Sequence, residues 1–243
     1  MDGAIVCKTC VTSGRVNPGL TPWDRRDELG FMGAVWQTIK GVSLAPAEFF
    51  ARMSATGRTG SAIGFLALIS IPAGLVNSVT GYFTNLALAP MFEPFIRDVY
   101  GPPGNTLSDM VVESMQPNAF SSILGLFLYP GIIVVYALIT GLLCHLGLML
   151  CGGAKEPLEA TVKTTIYAYA VTFWAIVPLA GSLSWLWLLV VLVFGLSTVH
   201  KSGGFKATFA VLYAPVGCCC AIFGGTFLLA FAVAGLAGSS GAF

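Results

Sequence analysis

The chain has 243 residues and a formal net charge of +1; 56% are hydrophobic and only 9% are charged, against about 25% charged residues in an ordinary soluble domain. A soluble fold cannot hide that much apolar surface, and so small a net charge supplies no electrostatic reason to bind nucleic acid. The stretches 61–89, 120–151, 164–199 and 207–237 contain no Lys, Arg, Asp or Glu. The composition therefore predicts an all-α integral membrane bundle.

Residues 1–30 form a polar tail. Asp2, Lys8, Arg15 and the run Asp24 to Glu28 leave no apolar core for a signal peptide, so the first insertion signal is expected near Ser61. Within the tail, Cys7 and Cys10 have the spacing of one zinc knuckle. A tetrahedral site needs four ligands, and the next cysteine is Cys144, inside an apolar stretch. The pair is thus an incomplete metal site unless two chains share one ion, and no cofactor is expected.

Residues 31–57 carry Met32, Val35, Trp36, Ile39 and Val42 at helical spacing. Pro46 then suits a first helical turn, with Phe49, Phe50 and Met53 on one face and Glu48 four before Arg52 on the other. This pattern predicts an amphipathic helix on the inner leaflet, with Trp36 and the two Phe inserted. A helix packed under the bundle is the alternative.

Residues 58–243 divide into five spans of the roughly 20 residues that cross about 30 Å of hydrocarbon. The first is 61–89, followed by a loop over 90–118. The second has its core at 130–151, after a break at Tyr129-Pro130-Gly131. The third and fourth lie in 164–199, divided by Pro178-Leu179-Ala180-Gly181-Ser182, and the fifth is 207–237. Of the twelve Lys and Arg, only Arg97 falls on the side of the 90–118 loop. The positive-inside rule then places the N-terminus in the cytoplasm and the C-terminus outside.

In order along the chain, Trp36, Pro46 to Met53, His145, Ala160 to Ala170, Ile176 to Gly181, Trp185, Gly195 to His200 and Lys206 to Val211 together resemble the bacterial form of the Yip1 domain membrane proteins. The resemblance implies a five-span fold and a bacterial inner-membrane location, without a defined activity. Eukaryotic members are associated with small GTPases through an N-terminal domain carrying Asp-Leu-Tyr-Gly-Pro before the first span. Here a similar string, Asp98 to Pro102, follows the first span, so that role does not carry over.

Candidate site residues are few. His145 is the only ionisable group within a span apart from Cys and Tyr, and intramembrane ionisable residues are functional by default. No span holds a partner carboxylate, however, so a packing role is the competing reading. Depth matching pairs the His145 imidazole with the hydroxyl of Tyr167 or Tyr169. His200 ends the fourth span beside Lys201, where a solvated pair is expected. Gly74, Asn77, Gly81, Thr84 and Asn85 make one face of the first span small and polar, suited to close helix packing or to a solute path. Cys144 and His145 are adjacent and diverge on a helix, and consecutive Cys218, Cys219 and Cys220 cannot converge on one ion. The reading is a non-enzymatic membrane-organising or partner-binding protein, with a small-solute or ion transporter or channel as the alternative. Its expected partners are membrane lipids and either a second membrane protein or another copy of the chain, with no nucleic acid.

Overall fold

The computed structural model describes residues 19–216, and among these it is helical throughout, with one isolated bridge between Gly19 and Met53 in place of any strand. A single turn over Trp23–Arg25 and Arg26–Leu29 leads into α1 (Phe31–Leu44) and α2 (Pro46–Arg52). There follow α3 (Thr59–Tyr100), α4 (Thr106–Met115), α5 (Ala119–Leu150) and α6 (Leu158–Ala168), which continues as a 3-10 helix over Tyr169–Ile176. Then come α7 (Pro178–Val199) and a helical run over 204–216. Pro46 and Pro178 occupy the first turns of α2 and α7, where a missing N–H costs nothing.

Among the described residues, two helices are long and apolar enough to cross a membrane, Thr59–Tyr100 and Ser122–Leu150; a shorter apolar helix covers Leu183–Val199. They run further than the sequence predicts. Most of the 90–118 loop is helix, because α3 continues through Pro90 and Pro94 to Tyr100 and α4 follows. The break expected at Pro130 is absent: α5 is continuous from Ala119 to Leu150. A proline removes one ladder bond, whereas opening the chain in hydrocarbon would strand several N–H and C=O groups. The single lost bond is the smaller cost.

α3 packs along α5, α5 along α6, and α6 along α7, while α2 lies against α7 and α1 against the 3-10 stretch. Phe65, Leu66, Ile69, Tyr167, Leu192 and Leu196 are all buried in the core they share. Close approach depends on small residues at two crossings. A methyl on Gly195 would come within 2.7 Å of Thr164 and 2.9 Å of Phe50, and one on Gly147 within 2.9 Å of the Ala210 backbone.

The segment 31–57 is two helices, broken at Ala45 (φ −139°). Phe49 and Phe50 face inward, against each other and Tyr167; they are core, and not lipid anchors. Trp36 remains half exposed and touches Trp174 edge-on. The difference lies in which way α2 turns after Ala45, a choice its periodicity leaves open. Likewise the polar tail is folded over its described part: Trp23 and Asp24 are buried. Cys7, Cys10 and Cys218 to Cys220 lie outside the described residues, as does the fifth span beyond residue 216.

Candidate functional site

The polar chemistry of the described chain gathers at the foot of the bundle, on α6. Residues four apart share a helix face, so Glu159, Lys163 and Tyr167 form one polar edge and Thr161 and Thr165 another on the opposite side.

The first edge grips the turn between α2 and α3. Lys163 is fully buried, and its ammonium donates to the Ser54 carbonyl (3.1 Å), the Ser54 hydroxyl (3.0 Å) and the Gly57 carbonyl (2.9 Å). Glu159 does the converse, accepting from the Gly57 N–H (2.8 Å) and the Thr59 hydroxyl (2.7 Å). Those two bonds hold its carboxyl below the usual range. The turn they clamp is left-handed at Gly57 (φ 81°) and at Arg58 (φ 59°), a conformation uncommon for a non-glycine residue. One turn further up α6, the Tyr167 hydroxyl lies 3.0 Å from that of Thr21. Thr21 donates to Asp24 Oδ2 (2.8 Å), which as a carboxylate only accepts, so Tyr167 is the donor to Thr21. Asp24 Oδ1 takes the Ser61 hydroxyl (3.0 Å), with Arg58 3.9 Å away, and the Trp23 indole donates to the Ser61 carbonyl (2.9 Å). The segment 21–24 is thereby pinned across the start of α3 and the end of α6.

The opposite edge holds both histidines. His200 Nδ1 receives the backbone N–H groups of Lys155 (3.3 Å) and Glu156 (3.1 Å). An accepting Nδ1 carries no proton, so Nε2 does, and it donates to the Thr161 hydroxyl at 2.9 Å. The hydroxyl in turn donates to His145 Nδ1 at 2.7 Å. The result is a directed chain, loop to His200 to Thr161 to His145, joining α7, α6 and α5. Burial, and then the His145 ring, hold the His200 imidazole down to about 4. Beside it the two connections are laced together: Lys155 Nζ donates to the Lys201 carbonyl (2.9 Å) and Lys206 Nζ to the Gly152 carbonyl (3.0 Å).

His145 therefore does tie its helix to α6, but its partner is Thr161 and neither tyrosine. Tyr167 reaches Thr21, and Tyr169 pairs with Thr140 at 2.9 Å. Depth alone chose the tyrosines; they leave α6 on other faces. His200 is buried instead of solvated. Asn77, Thr84 and Asn85 are exposed, and of their row only Gly74 packs closely, against Tyr129. The sequence pattern did not single out Asp24, Glu159, Thr161 or Lys163 as site residues. The available signal was the repeat Glu159, Lys163, Tyr167 at the foot of an apolar stretch.

Residues 40–226 match the family model of the Yip1 domain. The chain belongs to the Yip1 domain family. Its apolar helices fit a membrane location. The Yip1 match takes in the whole of α6, both histidines and the clamped turn, whereas Thr21 and Asp24 precede it. The N-terminal clip is thus made by residues outside the Yip1 domain onto Ser61 and Tyr167 within it. Neither the curated proteins nor the solved structures compared with the chain gave a significant match.

Proposed function

We propose that the protein is a multi-pass, non-enzymatic component of a bacterial inner membrane that organises the bilayer or binds a membrane partner. It has five spans, a cytoplasmic N-terminus and an external C-terminus. The observation that carries this reading is where the polar groups of α6 are spent. Glu159, Thr161, Lys163 and Tyr167 bond to their own chain, joining α3, α5, α7 and the N-terminal segment. Groups so committed fix a shape and do not present a nucleophile and base to a substrate. The Cys144 thiol is buried, and the neighbouring His145 imidazole is spent on Thr161. The surface supports a lipid setting. On α1, Phe31, Met32 and Trp36 are exposed with Lys40 among them, the composition of an interfacial helix.

Orientation rests on the concentration of Lys and Arg at the end opposite Arg97. Cysteine labelling in a background without native cysteines tests it: position 105 is modified from outside, position 203 only after permeabilisation. Labelling of both from outside refutes the topology. In-cell cross-linking with mass spectrometry identifies the partner, and recovery of neither a membrane protein nor a second copy removes the partner-binding reading.

A further inference from the structure

The N-terminal clip has the anatomy of a peptide seated in a groove. The Gly19 carbonyl accepts the Ser54 N–H at 3.1 Å, beside a parallel bridge to Met53. Trp23 is buried against Phe65, ring centroids 5.3 Å apart, with its indole N–H on the Ser61 carbonyl. Asp24 is the one buried carboxylate among the described residues, its side chain 1% exposed. A main-chain pairing, an aromatic anchor in a pocket and a placed charge are the means by which proteins take up extended segments.

Two observations separate the clip from the groove that it fills. The walls are braced without it: Lys163 and Glu159 hold the turn before α3, and the Tyr167 ring packs against Phe49 (5.4 Å) and Phe65 (5.8 Å). The groove therefore keeps its shape when empty. On its other side the clip leads into an exposed spacer. Arg26–Leu29 buries no residue, and Gly30 follows at φ 72° with open space around it, a backbone that favours glycine. Beyond that joint α1 has anchors of its own, the indole N–H groups of Trp174 and Trp187 on Ser43. Anchor, spacer and glycine joint make a latch that can leave without unravelling α1.

What the latch leaves behind selects its replacement. The Asp24 carboxylate accepts from the Ser61 hydroxyl (3.0 Å) and from its own Thr21 (2.8 Å), while Arg58 stands 3.9 Å away. A buried carboxylate with no cation in direct contact recovers little of its lost hydration, so the latch is held weakly for the charge it buries. Emptied, the groove offers the Ser61 and Tyr167 hydroxyls and the positive field of Arg58 and Lys163 beside an aromatic pocket.

We infer that this groove, built by the end of α2, the start of α3 and the end of α6, is the docking site for a partner protein's extended segment bearing an aromatic residue followed by an acid, and that residues 19–24 close it in the resting chain. The inference rests on the partner-binding reading above and names its surface. Met53, Ser54, Ser61, Phe65 and Tyr167 all lie within the Yip1 match, whereas the latch precedes it. The receptor thus belongs to the domain and the plug does not.

The test uses the full chain in detergent and a capped, fluorescent peptide of residues 19–24, which contains no Lys or Arg for trypsin. Fluorescence anisotropy compares the parent with a Trp23→Ala, Asp24→Ala double variant, in which the latch is loosened. The peptide is expected to bind the double variant about tenfold tighter than the parent or more, and to weaken about tenfold when its own Asp is replaced by Asn. On the parent, excess peptide is expected to speed trypsin cutting at Arg25 and Arg26, because each displaced latch bares the spacer; the Asn peptide is expected not to. Equal binding to the two chains, or equal binding of the two peptides, overturns the proposal. Should the double variant unfold, the parent digest decides, and a cutting rate unmoved by millimolar peptide overturns the latch. If the peptide binds nothing while cross-linking in cells still recovers a partner, the groove is refuted and the partner-binding reading stands without it.

Discussion

Lys163→Met keeps most of the side chain's volume and removes only the ammonium. In the parent, that group satisfies the Ser54 and Gly57 carbonyls and the Ser54 hydroxyl; the Lys163 side chain is fully buried, Ser54 is half-buried and Gly57 is exposed. The Ser54 hydroxyl can turn elsewhere and the Gly57 carbonyl, on an exposed residue, can bond water, which leaves the Ser54 carbonyl short of its donor; a buried polar group stripped of its partner costs about 1–3 kcal/mol. That one group gives a loss of roughly 1–3 kcal/mol, partly offset because burying a thioether is easier than burying an ammonium. For a chain of this size each kcal/mol moves the melting temperature by about 2–4 °C, so the variant should melt on the order of 3–10 °C lower. Cys144 supplies the assay: it is fully buried, so in a chain retaining only that cysteine a thiol-reactive dye in detergent reports unfolding. A companion variant, Lys40→Met, alters an exposed lysine and should melt with the parent. A Lys163→Met midpoint within about 2 °C of the parent, less than 1 kcal/mol on the same scale, would refute the claim that Lys163 holds the 54–57 turn.

Gly147→Ala should destabilise by about 1–3 kcal/mol, since its methyl meets Ala210 backbone at 2.9 Å; thermal melting of the variant checks this, and an unchanged midpoint would mean that the 204–216 run yields freely. Asp24→Ala should free the 21–24 clip, and limited trypsin digestion should cut at Arg25 and Arg26 markedly faster while the bundle stays folded. His200 makes stability depend on pH. Its folded value of about 4 lies below the ordinary 6.5, so the unfolded chain binds the extra proton. Its contribution is complete above pH 6.5 and is lost as pH falls toward 4, on the order of 3 kcal/mol in all. Melting between pH 7.5 and 4.5 should show this slope, and His200→Asn, which keeps an acceptor for the Lys155 and Glu156 N–H groups, should flatten it.

How much of this could be read without coordinates depends on whether a property lies along the chain or between its parts. The helical class, the apolar shafts, the one-sided placement of Lys and Arg and the helix starts at Pro46 and Pro178 follow from local composition, because hydrocarbon tolerates only backbone that bonds to itself. The ordered resemblance to the Yip1 domain is a property of the same kind. The facing of side chains is not. Phe49 and Phe50 have the periodicity of a lipid-facing helix, and only the turn at Ala45, which lays α2 on α7, decides that they face inward. Lys163 and Asp24 are only two more charges outside the apolar stretches until Ser54 and Gly57, more than 100 residues from Lys163, and Ser61, 37 residues from Asp24, are brought alongside. His145 has a depth along its helix that can be counted, but its partner depends on the rotation of α6 about its own axis. That angle is set by Thr161, Glu159, Lys163 and Tyr167 bonding on two sides at once, and a one-dimensional pattern holds no record of it.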